Sequence, residues 1–384
     1  MRTSLPSRSQ GEGASVLIAA QSGRGLAAAA RRAGYRPLVV DLFGDSDTRA
    51  LAAGYRQVKG RFGVGVAGLA VLDALDQLAL ASAGPPLGVV LGSGFEASPA
   101  LIQAIDERFG LIGASADTVA SLKNPIGFAR LLAELGIGHP QVRLEPVASS
   151  SGWLSKRRGG SGGSHIRKAR PNRVVRGSYL QRAVEGEPVS VAFLADGHRA
   201  QMIARTRQWV SPGRGAAWRY GGAIEPGGPL AIDPEIEMAI GRIVAATRLR
   251  GLASADLMVT PDRWWLLEIN PRPGATLDCL DRRKTPLFER HCRASRGELG
   301  VFEAPPEAAA GTMIVYADRP VARVSDIAWP AFVADRPERA SAIKAGAPIC
   351  TVAATGGEAV EVRRLLDQRG ADIIRLVQEE RIPA

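Results

Sequence analysis

Three oxygen-bearing side chains, Asp256, Glu268 and Asn270, fall at spacings that bring them together if residues 252–273 form a β-hairpin. The run up to Thr260 is apolar and β-branched, Pro261-Asp262-Arg263 carries turn chemistry, and Trp264 to Ile269 supplies a second strand. With that loop, Thr260 faces Trp264, Met258 faces Leu266 and Asp256 faces Glu268, and Asn270 follows on the same face by the two-residue period. Opposed carboxylates repel unless a positive charge lies between them. A divalent cation answers that need, and hard oxygen ligands completed by phosphate oxygens suit Mg²⁺ better than zinc. A surface pair neutralised by arginines is the alternative, and a one-residue slip would put the two acids on opposite faces. The metal reading predicts that Glu268→Gln stabilises the metal-free protein, and the arginine reading predicts the reverse.

The chain that must position these groups has 384 residues, 46% of them hydrophobic, which is enough for two or three domains with cores of their own. No apolar run reaches the roughly 18 residues of a membrane span, and residues 1–13 lack a signal-like apolar core, so the expectation is a cytoplasmic protein with a disordered N-terminus and no membrane partner. Cys279, Cys292 and Cys350 are an odd count without metal-ligand spacing and read as buried thiols. The net charge of +11, with Lys and Arg clustered from Lys156 to Arg176, favours an anionic partner.

From Ala14 the order is strand, Gln21-Ser22-Gly23-Arg24-Gly25, an Ala-rich helix and a second strand from Pro37, a βαβ opening. Its G-x-G lacks the third glycine of the dinucleotide fingerprint, which leaves a nicotinamide-dependent enzyme as a weak alternative. A third unit, Leu87 to Leu91, runs into Gly92-Ser93-Gly94-Phe95-Glu96, and the place of ligand loops in parallel sheets makes Glu96 a substrate-contact candidate or a simple loop residue. One helical run is expected from Ala116 through Lys123 to Leu135. Beyond it, Trp153 to Lys156 reads as a strand whose terminal lysine precedes Gly159, Gly160, Gly162, Gly163 and Ser164, a phosphate cradle or a flexible linker. An antiparallel meander follows, then a glycine-rich segment from Gly213 to Gly228 read as a mobile loop, and a helix from Pro234 to Arg248. His291 reads as a packing residue. A linker near Pro305 leads to short strands and a last helix from Ala359 to Arg369.

In this order the residues resemble the ATP-grasp superfamily, over nearly the whole chain. The resemblance implies an α/β (α+β) fold: a βαβ pre-ATP-grasp domain over residues 14–116, a lid subdomain over 117–188, a metal-binding subdomain over 189–302 and a small β-rich C-terminal piece over 303–384. It implies that Lys156 and Lys123 hold phosphates with the glycine loop, that Gln181 and the Val184 backbone take the adenine edge, and that Glu187 or Glu185 takes the ribose. Asp256, Glu268 and Asn270 would ligate Mg²⁺ (or Mn²⁺), and Arg272 would steady the transferring phosphoryl group. Gln181 departs from the Glu of many relatives. The run E-I-N-P-R-P-G-A-T-L-D is most similar to ligases of methanofuran and methanopterin-type cofactor synthesis, such as tyramine–glutamate ligases. The implied activity is ATP-dependent joining of a small acidic carboxylate to an amine. A basic nucleic-acid-binding module is the other class of reading, disfavoured because residues 156–176 have few interleaved aromatics for base stacking and their glycines suit phosphate cradling equally. A homodimer is the commonest arrangement for a soluble oligomer.

Overall fold

The computed structural model of the chain describes residues 13–379. All but the last residue of the expected disordered stretch 1–13 lies outside them. The opening βαβ units form a four-stranded parallel sheet in the order Gly54–Gln57, Arg36–Asp41, Ser15–Ala19, Val89–Leu91. Its strands Arg36–Asp41, Ser15–Ala19 and Val89–Leu91 are largely apolar and buried because helices cover both faces, and the edge strand Gly54–Gln57 is more polar and partly exposed. The carboxyl ends of these strands carry the loops 20–23, 42–45 and 92–98 toward the rest of the molecule.

The expected single helix over 116–135 is two, Ala116–Lys123 and Pro125–Glu134. Pro125 disfavours the helical conformation at Asn124, which turns extended and lets its side-chain Oδ1 accept from Gly127 N at 3.0 Å as the cap of the second helix. Lys123 is thereby the last residue of the first of these helices. A small antiparallel sheet follows, in the order Val142–Arg143, Ser178–Arg182, Trp153–Arg157, Arg167–Lys168. Its own core is Val147, Trp153, Ala169 and Leu180.

The largest layer is an eight-stranded sheet, in the order Trp264–Asn270, Arg250–Val259, Glu187–Asp196, Ala200–Val210, Tyr220–Glu225, Ala309–Tyr316, Pro348–Gly356, Val333–Ala334. Alternation sorts its central strand onto two cores: Val189, Val191, Phe193 and Ala195 pack with Ile236, Ile240 and Ile243 of helix Asp233–Thr247, and Ala192 and Leu194 pack with Leu287, Phe288 and Cys292 of helix Leu287–Ser295. Six of the sixteen residues expected as a mobile loop, Tyr220–Glu225, are thus a strand. The strands after the linker extend this same sheet, and the last helix, Ala359–Glu379, is longer than expected because its apolar stripe continues through Leu366, Ile373 and Val377 over them. All three cysteines are buried and free.

His291 is the packing residue the sequence suggests. Its Nδ1 accepts from Leu252 N at 2.8 Å and its Nε2 faces Ile112 O at 3.0 Å, so it ties the first domain to the large sheet as a neutral ring. Burial pushes its pKa down from 6.5 to about 4. Between those values the unfolded chain takes up a proton that the folded chain refuses, so stability falls as pH drops from 6.5 toward 4. The expected loss from this residue is about 3 kcal/mol. Urea denaturation at pH 7 and pH 4.5 measures it, and His291→Gln flattens that part of the curve.

Candidate active site

Asp256 pairs with Glu268, but by a different route from the simple register. Val259 pairs with Trp264, so the connection is the four residues 260–263, and the register then shifts between Leu257–Leu266 and Asp256–Glu268. The shift is a bulge that leaves Leu267 as the extra residue, restoring the acids to the same face. Thr260 closes the turn, donating its N–H to Arg263 O at 2.8 Å and accepting from Arg263 N at its Oγ1 at 3.2 Å.

Lys123 supplies the positive charge that the opposed acids require. Its ammonium donates to Glu268 Oε2 at 3.3 Å and to Asn270 Oδ1 at 3.1 Å. Asn270 Nδ2 donates to Asp256 Oδ2 at 2.9 Å, and Ser190 Oγ donates to Asp256 Oδ1 at 2.8 Å. Burial, and then the neighbouring Glu268, push the Asp256 carboxyl up. Burial also works against the charged form of Glu268, but Lys123, Lys156 and His165 outweigh it and hold that carboxyl below the usual range. The arginine-neutralised alternative is corrected in part: the cation bonded to Glu268 is Lys123, and Arg272 adds to the positive field at Asp256. The expected stabilisation by Glu268→Gln is corrected with it, because the substitution would leave Lys123, 8% exposed, without its anionic partner. Ser190 escaped the sequence reading, although a lone serine in the apolar strand Val189 to Leu194, directly across from Asp256, was the available signal.

Lys156 is buried at the end of strand Trp153–Arg157, opposite Tyr179. Burial lowers its pKa, and Glu268 and Asp256 oppose that shift, which places the ammonium near the hairpin acids. The glycines after it are used for close approach. A Cβ at Gly159, whose φ is +62°, would lie 2.5 Å from Ala97 N, and one at Gly163, whose φ is +68°, would lie 1.8 Å from Trp218 O. The loop is therefore seated between residues 96–97 and residues 218–220 at the start of strand Tyr220–Glu225, where Tyr220 N donates to Gly162 O at 3.0 Å. Lys123, Gly159, Gly160, Gln181 and Glu268 line one cleft, together with His139 and Leu267, with about 510 Å³ of unfilled space. Gly163 and Ser164 turn to the protein instead, Ser164 Oγ lying 2.6 Å from where a Cβ on Gly63 would be, while Gly162 is exposed. Val184 is half-buried and Glu185 and Glu187 are exposed, beyond the strand that carries Gln181.

Arg272 and Glu96 meet across the first domain and the hairpin. Arg272 Nε donates to Glu96 Oε1 at 2.8 Å, while Glu96 Oε2 accepts from Gly94 N at 2.7 Å and Phe95 N at 3.0 Å. Both carboxylate oxygens of Glu96 are engaged, and the residue is buried. Burial would raise its pKa, but Arg272 and Lys123 hold it below the usual carboxylate range.

The helix opened by Gly23-Arg24-Gly25 has no place for a dinucleotide pyrophosphate. Asp41 Oδ2 accepts from Gly23 N at 2.9 Å, a Cβ on Gly25 would lie 3.1 Å from Asp278 Oδ1, and Arg24 is ion-paired to both Asp278 and Asp335. Carboxylates fill the position where that fingerprint needs an anion-accepting helix end.

Residues 124–276 match the family model described as an ATP-grasp domain. This matched span, less than half of the chain, is an ATP-grasp domain. It includes Lys156, the glycine loop, Gln181 and the whole hairpin. Solved structures similar to the chain share this fold at low identity. A Rhizobium etli pyruvate carboxylase superposes with a TM-score of 0.71 at 16% identity, covering 96% of this chain and 38% of that one, so this chain spans well under half of that carboxylase. An N5-carboxyaminoimidazole synthetase from Staphylococcus aureus complexed with ADP superposes with a TM-score of 0.65 at 14% identity, covering 93% and 97%. A biotin carboxylase complex from Campylobacter jejuni gives 0.70 at 12% identity, covering 91% and 89%. No curated protein sequence matches the chain. No helix among the described residues is long and apolar enough to cross a membrane.

The ATP-grasp hairpin offers Asp256, Glu268 and Asn270 as hard oxygen donors on one face, which fits Mg²⁺ or Mn²⁺. Among the described residues no group of three or more His, Cys, Asp or Glu forms a metal cage. Lys156→Ala is expected to weaken nucleotide binding about tenfold or more, since a charge-assisted contact to phosphate is worth roughly 1.5–3 kcal/mol. Calorimetry with a non-hydrolysable ATP analogue checks it, and unchanged affinity removes Lys156 from the phosphate site.

Proposed function

We propose that the protein is an ATP-dependent ligase that phosphorylates a carboxylate and joins it to an amine. The observation that carries this reading is the convergence of Asp256, Glu268 and Asn270 with Lys123, Lys156 and Arg272 where the lid, the first domain and the hairpin meet. A carboxylate is a poor electrophile, and its conversion to an acyl phosphate supplies the leaving group that an amine then displaces.

In this reading Lys156 and Lys123 hold the triphosphate, and Gln181, whose Nε2 faces Leu267 O at 3.5 Å, borders the base. The Val184 backbone takes the adenine edge, and Glu185 or Glu187 takes the ribose. Asp256, Glu268 and Asn270 hold the metal, which when bound neutralises charge on the phosphates. Arg272 steadies the phosphoryl group in transfer, its guanidinium fixed by Glu96. The glycine loop, seated on Ala97 and Trp218, keeps water from an intermediate that hydrolyses readily.

The narrower reading is glutamyl ligation in one-carbon cofactor synthesis, supported by the E-I-N-P-R-P-G-A-T-L-D run and the basic surplus. A screen of ADP release over carboxylic acids and amines with Mg²⁺ present tests the proposal. Release that needs both an acid and an amine supports it, and glutamate-type acids should lead. Absence of any acid-dependent release contradicts it.

A further inference from the structure

Between Glu145 and Glu185 the chain has nine Lys or Arg residues and no acidic residue, against a net charge of +11 for the whole sequence. Lys156 is buried, and Arg157 lines the cleft. The others lie on the lid, and Arg158, Arg167, Lys168, Arg170, Arg173 and Arg176 are all exposed. The fold presents them deliberately by alternation: Ala169 and Val174 turn inward onto the small lid core, so their neighbours point out. Arg170 and Arg173 are held directly opposite each other in an antiparallel bridge across Pro171-Asn172, with Asn172 at a φ of +51°. Like charges opposed in this way are destabilising, and no carboxylate in this stretch relieves them.

An isolated exposed ion pair contributes little, so these cations gain little from a small monovalent acid. They would also lie outside a cleft whose lining includes Lys123, Gly160, Gln181 and Glu268. A chain of carboxylates engages several of them at once, and the weak pairs then add. Nucleic acid would do the same electrostatically, but the lid's aromatic side chains are unsuited to stacking bases. Trp153 is buried with Arg143 and Arg182 over its ring, and Tyr179 lines the cleft.

We infer that the outer face of the lid is a docking surface for an acidic polypeptide. That this polypeptide also presents the carboxylate to be activated rests on the ligase reading above; the docking itself does not. The test uses the full-length protein and fluorescently labelled polyglutamate as probe, with free glutamate, single-stranded DNA and duplex DNA as comparisons. Polyglutamate should bind with an affinity that falls steeply with salt, and free glutamate should not compete at equal carboxylate concentration. The combined variant Lys168→Gln, Arg170→Gln, Arg173→Gln, Arg176→Gln should bind polyglutamate about tenfold more weakly, from several exposed pairs lost together. Its affinity for a non-hydrolysable ATP analogue should be unchanged. Wild-type binding of polyglutamate by the variant overturns the proposal, as does tighter binding of either DNA than of polyglutamate. Because the readout is binding and not turnover, absence of ADP release would count against the ligase reading and leave the docking result standing.

Discussion

Glu268→Gln should abolish ADP formation and destabilise the protein at the same time. The activity arm follows from the loss of an anionic metal ligand at the point where charge on the transferring phosphoryl group is neutralised, and a drop on the order of 10²–10³-fold is expected. The stability arm follows from Lys123. Its ammonium is 8% exposed and bonds Glu268 Oε2 at 3.3 Å, so a neutral partner leaves a nearly buried charge under-compensated. Glu268 is 29% exposed, which moderates the effect to about 2 kcal/mol. Urea melts in EDTA and ADP release in Mg²⁺, run on one preparation, read both arms. A variant that is stable and active contradicts the metal assignment; one that is unstable yet fully active shows a purely structural ion pair.

The second large effect is expected at the Arg272–Glu96 pair. Arg272→Ala strands a carboxylate whose side chain is only 4% exposed, and removing one partner of so buried a pair costs about 3 kcal/mol. A structural pair and a phosphate-steadying arginine both predict that loss, so the double variant Glu96→Gln, Arg272→Met separates them. It should regain much of the lost stability by removing both charges and remain inactive, since nothing is left to meet the phosphoryl group. Recovery of turnover along with stability would reduce Arg272 to a strut.

What the sequence made legible was mainly local. Asp256, Glu268 and Asn270 could be put on one face from a two-residue period, and Lys156 could be put at a strand end from the glycines that follow it. The bulge at Leu267 was not legible, because a four-residue connection and a one-residue bulge cancel and leave the acids paired as in the simpler register. Partners distant in the chain were also hidden. Glu96 and Arg272 are 176 residues apart, and Lys123 finds Glu268 across 145. The same limit explains the C-terminal strands, whose place beside Tyr220–Glu225 is fixed by pairing with Ala309–Tyr316 and by no signal in either segment alone. Asn124-Pro125 is a different case: the helix break was present in the residues, since a proline restricts the one before it.

The central claim is phosphoryl transfer to a carboxylate, and hydroxylamine trapping addresses it most directly. With Mg²⁺, ATP and the acid that gives the largest ADP release, but with hydroxylamine replacing the amine, an acyl phosphate is captured as a hydroxamate. The account predicts hydroxamate formed in equal amount with ADP, and none from Glu268→Gln. Hydroxamate accompanied by AMP and pyrophosphate would contradict it, because the acid would then have attacked the α-phosphate and the site would be built for a different transfer.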